Sequence, residues 1–368
     1  MKRIVTIAII LLVMMIACSK GNPDEVAQQS PTPTVRVSAT PKITPTPDPT
    51  PEPTPEPRYA NPLTGEPLEE APENTRPFAL SINNLLDSMP QCGTGEADIL
   101  YEMLAEGGIS RMLAVFSKLP EDGRFGSIRS VRPYFIDITM AYDGILVHAG
   151  GSEPAYSDIA NKRIENIDGV RGRFAELIYY RDNDRLRSGY GYEHCLFTTT
   201  ERVMEYLPQF GYRTEHEGDE AFDYRLNFRD ADTPADGDPA ASVNVMFQGG
   251  KTTDFTYDQT AEVYHARQYS RDYVDGNNGE KVGFANVLVL YCDTLSTGDS
   301  YGHIDIKTVG GGTGYYASGG AIEEITWSRN ENAPFVYKNS EGWELELGIG
   351  KSYICLVPSN GSTVTYSA

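Results

Sequence analysis

Between residues 106 and 152 the chain places four arginines (Arg111, Arg129 and Arg132 among them), a histidine, an acidic residue ahead of a glycine pair, and a Gly-Gly-Ser turn. Arg111, Arg129 and Arg132 are suited to an anionic or hydroxylated ligand through charge-assisted hydrogen bonds. Ser130, the turn Gly150, Gly151 and Ser152, and the amide of Asn84 offer further polar groups to the same ligand. His148, closing an apolar run, and His194, in the polar aromatic stretch YGYEH, are candidate general bases, with Glu106 a candidate catalytic carboxylate. Each residue also has a plainer use. The arginines can pair with Glu102, Glu106 or Asp137, a strand-end histidine can be a hydrogen-bonded core group, and Gly150–Ser152 can be a turn with a helix cap. No GxSxG, SxxK, HExxH or CxxC occurs, so no metal or cofactor is expected and a hydrolase lacks its usual motifs.

Positioning these residues requires strands that end in turns and feed helices. Residues 77–82 are an apolar run ending at Asn83 and Asn84, as a buried strand would. Apolar positions 97, 99, 100, 103 and 104 fit one face of a helix over 96–105, with Gly107 and Gly108 ending it. Residues 109–116 follow as a strand with Arg111 near its start. Pro133 suits the first position of a helix capped at Arg132. Residues 144–149 (GILVHA) are apolar on both faces, like a central parallel strand. Ser152 then caps a helix over 153–162, and TTTERVMEYL (198–207) reads as a capped amphipathic helix. Alternating strands and helices predict an α/β layer fold over 59–235, with ligands at the carboxyl ends of the strands and anions at helix N-termini.

Residues 230–238 (DADTPADGD) read as a linker. Beyond it, over 236–368, come many short β-like runs separated by Gly and Asn turns, predicting a mainly antiparallel β domain built as a twisted sheet, sandwich or open barrel. The Gly-rich segment 310–314 lacks the GK[ST] of a phosphate loop and reads as a hairpin. His265 and His303 read as ordinary sheet residues. Of the five cysteines, Cys292 and Cys355 lie in strand-like runs and can form a disulfide or remain buried thiols.

The first 17 residues, a basic start followed by IVTIAIILLVMMIA, suit a secretory signal better than a membrane span, which needs ~20 apolar residues. Met15-Ile16-Ala17-Cys18 resembles a bacterial lipobox, which implies lipidation of Cys18 and anchoring to the outer face of the cell membrane. Residues 18–58 hold a Pro/Thr tract too poor in apolar groups to bury a core, predicting a disordered tether. In extended polyproline form it reaches on the order of 100 Å. The formal charge of −21 excludes nucleic acid as a partner, since phosphate binding needs a basic surface. An anion site on such a chain must be a local basic pocket.

The stretches RPFALSINN, ADILYEMLAEGGISRMLAVF, GSIRSVRPYF, YDGILVHAGGS, ITWSR and WELELGIGKSYICLVP together resemble the YerB-like family of bacterial lipoproteins, which pairs N- and C-terminal domains of unknown function. The resemblance spans 60–368 and implies location and architecture without supplying a chemistry. Two departures matter. The family's Asp-Asn pair appears as Asn83-Asn84, which removes a carboxylate. Its Pro-His-Asn stretch appears as Glu193-His194-Cys195, which keeps the histidine and introduces a thiol. A fainter similarity is to the LytR-CpsA-Psr phosphotransferases, in which arginines at a strand-to-helix turn hold a polyprenyl pyrophosphate; it implies that part for Arg111, Arg129 and Arg132. Two readings follow: a cell-envelope ligand-binding or assembly lipoprotein, whose partner is a cell-wall glycopolymer or an envelope protein, or an envelope enzyme acting on an anionic glycopolymer or polyprenyl phosphate.

Overall fold

The computed structural model describes residues 59–368 apart from 72–73, 218–223, 225, 231–232 and 234. The signal sequence, Cys18 and the tether lie outside the described residues, as does part of the 230–238 linker. Five segments that are buried end to end set up the centre: β1 (Phe78–Asn83), β2 (Ile99–Leu104), β3 (Ser110–Phe116), β5 (Ile145–His148) and β14 (Ser352–Pro358). Strands apolar on both faces must be covered on both faces, and this sequence pattern belongs to the middle of a mixed sheet.

That sheet has eleven strands. With β6 (Asn166–Asp168), β11 (Asn286–Cys292), β12 (Gly310–Ser318) and β13 (Ala321–Arg329), its order is β13-β12-β11-β14-β2-β3-β1-β5-β6, and two short strands flank β13. The last long strand of the C-terminal region, β14, lies between β11 and β2 and is parallel to both, with Val289 opposite Cys355 and Cys355 opposite Glu102. Strands β1, β5 and β6 are also mutually parallel, while β3 and β12 run against their neighbours. The carboxyl ends of β1, β2, β5, β6, β11 and β14 therefore share one edge. Asn83, Glu106, His148, Asp293 and Ser359 all sit at or just after those ends.

The N-terminal region is mixed α/β. Helices α1 (Pro133–Ala141) and α2 (Glu153–Lys162) follow the turns at Arg132 and Ser152, and α3 (Thr200–Phe210) follows β7 (Leu196–Thr199). Strand β7 pairs with β4 (Arg124–Gly126) in a small separate sheet. The C-terminal region is mainly antiparallel: β8 (Ser242–Met246), β9 (Thr252–Asp258), β10 (Val263–Gln268) and β15 (Thr363–Ser367) build a second, six-stranded sheet. Its inward residues Val243, Val245, Phe255, Tyr264 and Ala266 pack in one core with Leu80, Leu100 and Ile82 of the large sheet.

Several expectations are corrected. Within 96–105 the chain forms strand β2 (Ile99–Leu104), not a helix. Every side chain from Ile99 to Leu104 is buried, so both faces are covered, and a period of 3.6 cannot be told from a doubly buried strand in so short a run. Gly107 and Gly108 end no helix. They take φ +68 and +76 in the turn joining β2 to β3, where only glycine turns without steric cost. The C-terminal region is mainly antiparallel as expected, but it does not keep its strands to itself, because β11 to β14 join the large sheet. The segment 310–314 lies in the first strand of the β12–β13 hairpin, at its open end and not at its turn. Cys292 and Cys355 are free: they lie on adjacent parallel strands three residues out of register. His303 stands in a loop before the strand Ile304–Ile306, with Asp299 at 2.5 Å.

Candidate functional site

The segment from Ser127 to Arg132 crosses the carboxyl edge of the sheet. Its backbone is tied on both sides: Asn83 N–H donates to Ser127 O, Arg129 N–H to Ser81 O, Ala149 N–H to Arg129 O and Val131 N–H to Gly150 O. This lattice brings Arg111, Arg129, Arg132 and Glu106 into one cluster. Glu106 accepts from Arg132 Nη2 at 2.6 Å and Nε at 3.1 Å, and from Arg111 Nη2 at 3.2 Å. Burial alone would raise the Glu106 carboxyl, but the two guanidinium groups hold it down at about 2. Arg111 falls to about 10, through burial and the charge of Arg132 beside it. Its Nη1 donates to Ser130 O, and Arg132 Nη1 to Val131 O. Arg111 and Arg132 are thus occupied by one shared carboxylate and by backbone.

Arg129 is different. It is half-buried, its Nε is shielded from water without a partner, and its Nη1 makes one long contact of 3.4 Å to Glu193 O. Burial lowers its pKa, and the charges felt there are those of Glu193, Glu106, Arg132 and Arg181. Arg181 lies over the Tyr192 ring at 3.9 Å and donates to Tyr192 O. Four guanidinium groups therefore face two carboxylates, a local positive excess on a strongly acidic chain.

His194 joins this group from a distant part of the chain. Its Nδ1 lies 2.8 Å from Asn83 Nδ2. The Asn83 amide is oriented by Leu85 N–H, which donates to Asn83 Oδ1, so the amide nitrogen must point at the ring. Nδ1 is then an acceptor, and the proton of the neutral ring sits on Nε2, 3.7 Å from Glu193 Oε1. Burial and the charge of Arg129 both lower the His194 pKa, in keeping with a neutral ring. Because Asn83 already uses the ring lone pair, His194 can offer a ligand an N–H donor.

The remaining expected site residues are structural partners in this fold. His148 is fully buried, with Nδ1 2.8 Å from Gly150 O and Nε2 3.1 Å from Asn166 Oδ1. Gly150, at φ +83, donates its N–H to Asp168 Oδ1, which fixes the turn. Gly151 lies against Val131 in a parallel bridge. Ser152 caps α2 by accepting from Ala155 N–H, and Ser130 Oγ donates to Ala149 O. Asn84 is turned away from the cluster, into a buried network around Glu102. There Glu102 accepts from Lys251 Nζ at 3.0 Å, Ser110 Oγ at 2.5 Å, Thr253 Oγ1 at 2.7 Å, Tyr353 OH at 2.6 Å and Asn84 Nδ2 at 3.0 Å. That network joins the two regions and has no sequence signature, since its members come from five separate segments. Arg181 and Asn83 were equally hidden: Asn83 and His194 are 111 residues apart.

"Protein of unknown function (DUF3048) N-terminal domain" matches residues 63–213, and "Protein of unknown function (DUF3048) C-terminal domain" matches 241–354. The chain belongs to the DUF3048 family. The DUF3048 chain is 29% identical over 302 residues to "Putative lipoprotein YerB" of Bacillus subtilis (strain 168), covering 81% of this chain and 86% of that protein. The crystal structure of YerB from Bacillus subtilis superposes with a TM-score of 0.71 at 26% identity, over 84% of this chain and 100% of that one. The resemblance read from the motifs is thus shown, together with a mixed α/β N-terminal and mainly antiparallel C-terminal region. Among the described residues no helix is long and apolar enough to cross a membrane.

Proposed function

We propose that this DUF3048 protein is an extracytoplasmic lipoprotein, anchored through Cys18 and lifted from the membrane by its Pro/Thr tether, that binds an anionic cell-envelope ligand at the Arg129 cluster. The relative named as a lipoprotein and the lipobox-like Met15–Cys18 support the anchoring. The observation that carries the binding role is Arg129: a partly buried guanidinium whose Nε has no partner, beside a neutral His194 that presents an N–H. A half-buried guanidinium whose one contact is the long bond to Glu193 O keeps donors available to an oxyanion. Helix α1 adds to this, since its N-terminus has no side-chain cap and no acidic residue in its first turn. Arg111, Arg132 and Glu106 form the rigid support, and His148 with Gly150 holds the neighbouring turn.

A phosphate-bearing glycopolymer of the cell wall is the ligand class that suits a site of this sign on a wall-spanning tether. A general-base role draws no support from either histidine, because the ring nitrogens that would take a proton are already engaged. The test is calorimetric titration with poly(glycerol phosphate) at low salt, comparing the wild type with Arg129→Ala. We expect saturable binding that weakens as salt rises and drops about tenfold in the variant, the loss of one charge-assisted contact. Equal affinity in the two proteins would sink the proposal.

A further inference from the structure

The carboxyl edge of the large sheet carries a second concavity. Strands β11 and β14 stay paired to their ends, Cys292 opposite Pro358, whereas β11 and β12 are paired only as far as Leu290 and Gly314. Beyond that point the β11–β12 ladder stops, and residues 310–313 have no register partner on β11. The gap is an open groove of about 600 Å3, within the usual range for ligand sites. It lies just past the ends of two parallel strands, where α/β sheets place their ligands.

The glycines of β12 make the floor. Gly312 is opposite Trp327 on β13, and a Cβ on Gly312 would meet Tyr291 O at 2.6 Å and Trp327 Nε1 at 2.7 Å. Trp327 Nε1 donates to Tyr291 O over Gly312 at 3.1 Å. That bond closes the gap at its base, so no peptide strand can slide in as an added β-strand. The walls are polar: Asp293, Lys307, Thr313, Ser359 and Ser362 all face the groove. Ser359 Oγ donates to Asp293 Oδ1 at 3.3 Å, which holds the carboxylate at the rim. Lys307 is paired with Asp305 at 2.5 Å, so the groove carries no positive excess, unlike the Arg129 cluster.

We infer that this groove binds a neutral saccharide chain. Hydroxyl groups donate and accept at once, and a lining of three hydroxyls, a carboxylate and an ammonium over a glycine and aromatic floor matches them. A polyanion would gain nothing there, and an apolar ligand would strand the polar walls. The site is independent of the anion site, so the two proposals can fail separately.

The experiment uses the full-length chain in detergent. Trp343 is exposed in a turn, and Trp343→Phe leaves Trp327 as the sole tryptophan. Titrating chitotetraose, a neutral N-acetylated tetrasaccharide, should then give a saturable change in Trp327 emission. Asp293→Asn and, separately, Ser359→Ala should weaken it, the first about tenfold. Arg129→Ala should leave it unchanged. Absence of any saturable change, wild-type affinity in both groove variants, or a response to an extended pentapeptide but not to the saccharide, would each overturn the inference.

Discussion

Arg129, Glu106 and His194 occupy neighbouring positions yet answer to different physics. Arg129 has no carboxylate hydrogen-bonded to it, so its removal should cost ligand and little stability, and Arg129→Ala should melt within about 0.5 kcal/mol of wild type. Glu106 is the opposite case. Glu106→Gln leaves Arg111 and Arg132 side by side without their shared counter-charge, and we expect a loss of about 2 kcal/mol in urea unfolding, less than a fully buried pair because Glu106 is partly exposed. The sign of its pH dependence follows. The folded carboxyl titrates near 2, below the ordinary ~4.3, so its contribution is present above pH ~4.3 and disappears as pH falls towards 2. Acid unfolding of Glu106→Gln should accordingly be flatter over that window. At His194 the neighbour decides the protonation state. Asn83→Asp would replace a donor with a carboxylate facing Nδ1, favouring the charged ring and raising its pKa from its present lowered position. With five histidines in the chain, imidazole NMR titration can read this directly, and an unmoved His194 resonance would refute the assigned tautomer.

At the scale of elements, strand β2 carries both a site residue's support and the joint between regions. Its Glu102 is fully buried, and although burial opposes ionisation, Lys251 and three hydroxyl donors keep the carboxyl below its ordinary value. Lys251→Ala would leave that carboxylate without a cation, at a cost of about 3–5 kcal/mol measured as a shift in urea midpoint. The turn that follows β2 makes a milder prediction. A Cβ at Gly108 would touch nothing, so Gly108→Ala tests the positive φ alone and should cost about 1 kcal/mol.

For the whole molecule the decisive feature is β14, the penultimate strand, inserted between β11 and β2. Neither region completes the large sheet without it. Unfolding followed by tryptophan emission, which reports the C-terminal region, and by far-ultraviolet dichroism should therefore give coincident transitions. A chain ending at residue 351 would expose the edge of β2 and the Glu102 network, and should fail to fold in either region. Two separated transitions would show instead that the sheet is joined only loosely.

The sequence by itself determined much of the local structure here. Pro133 after Arg132, Ser152 ahead of α2, the doubly apolar run at 145–148 and the alternation of strand and helix follow from chemistry within a few residues. So does the resemblance to a family of paired domains. What the sequence left open depends on residues far apart in the chain. Arg132 and Arg111 turn out to be saturated by Glu106, and Arg129 is left over, only because three strand ends meet at one edge. Residues 99–104 became a strand because β14 arrives beside them some 250 positions later, covering an edge that local periodicity cannot anticipate. The tautomer of His194 was decided by an amide 111 residues away. Helix caps and turns are short-range and can be read from adjacent letters. Charge pairing, burial on both faces and proton placement are long-range, and only the tertiary structure settles them.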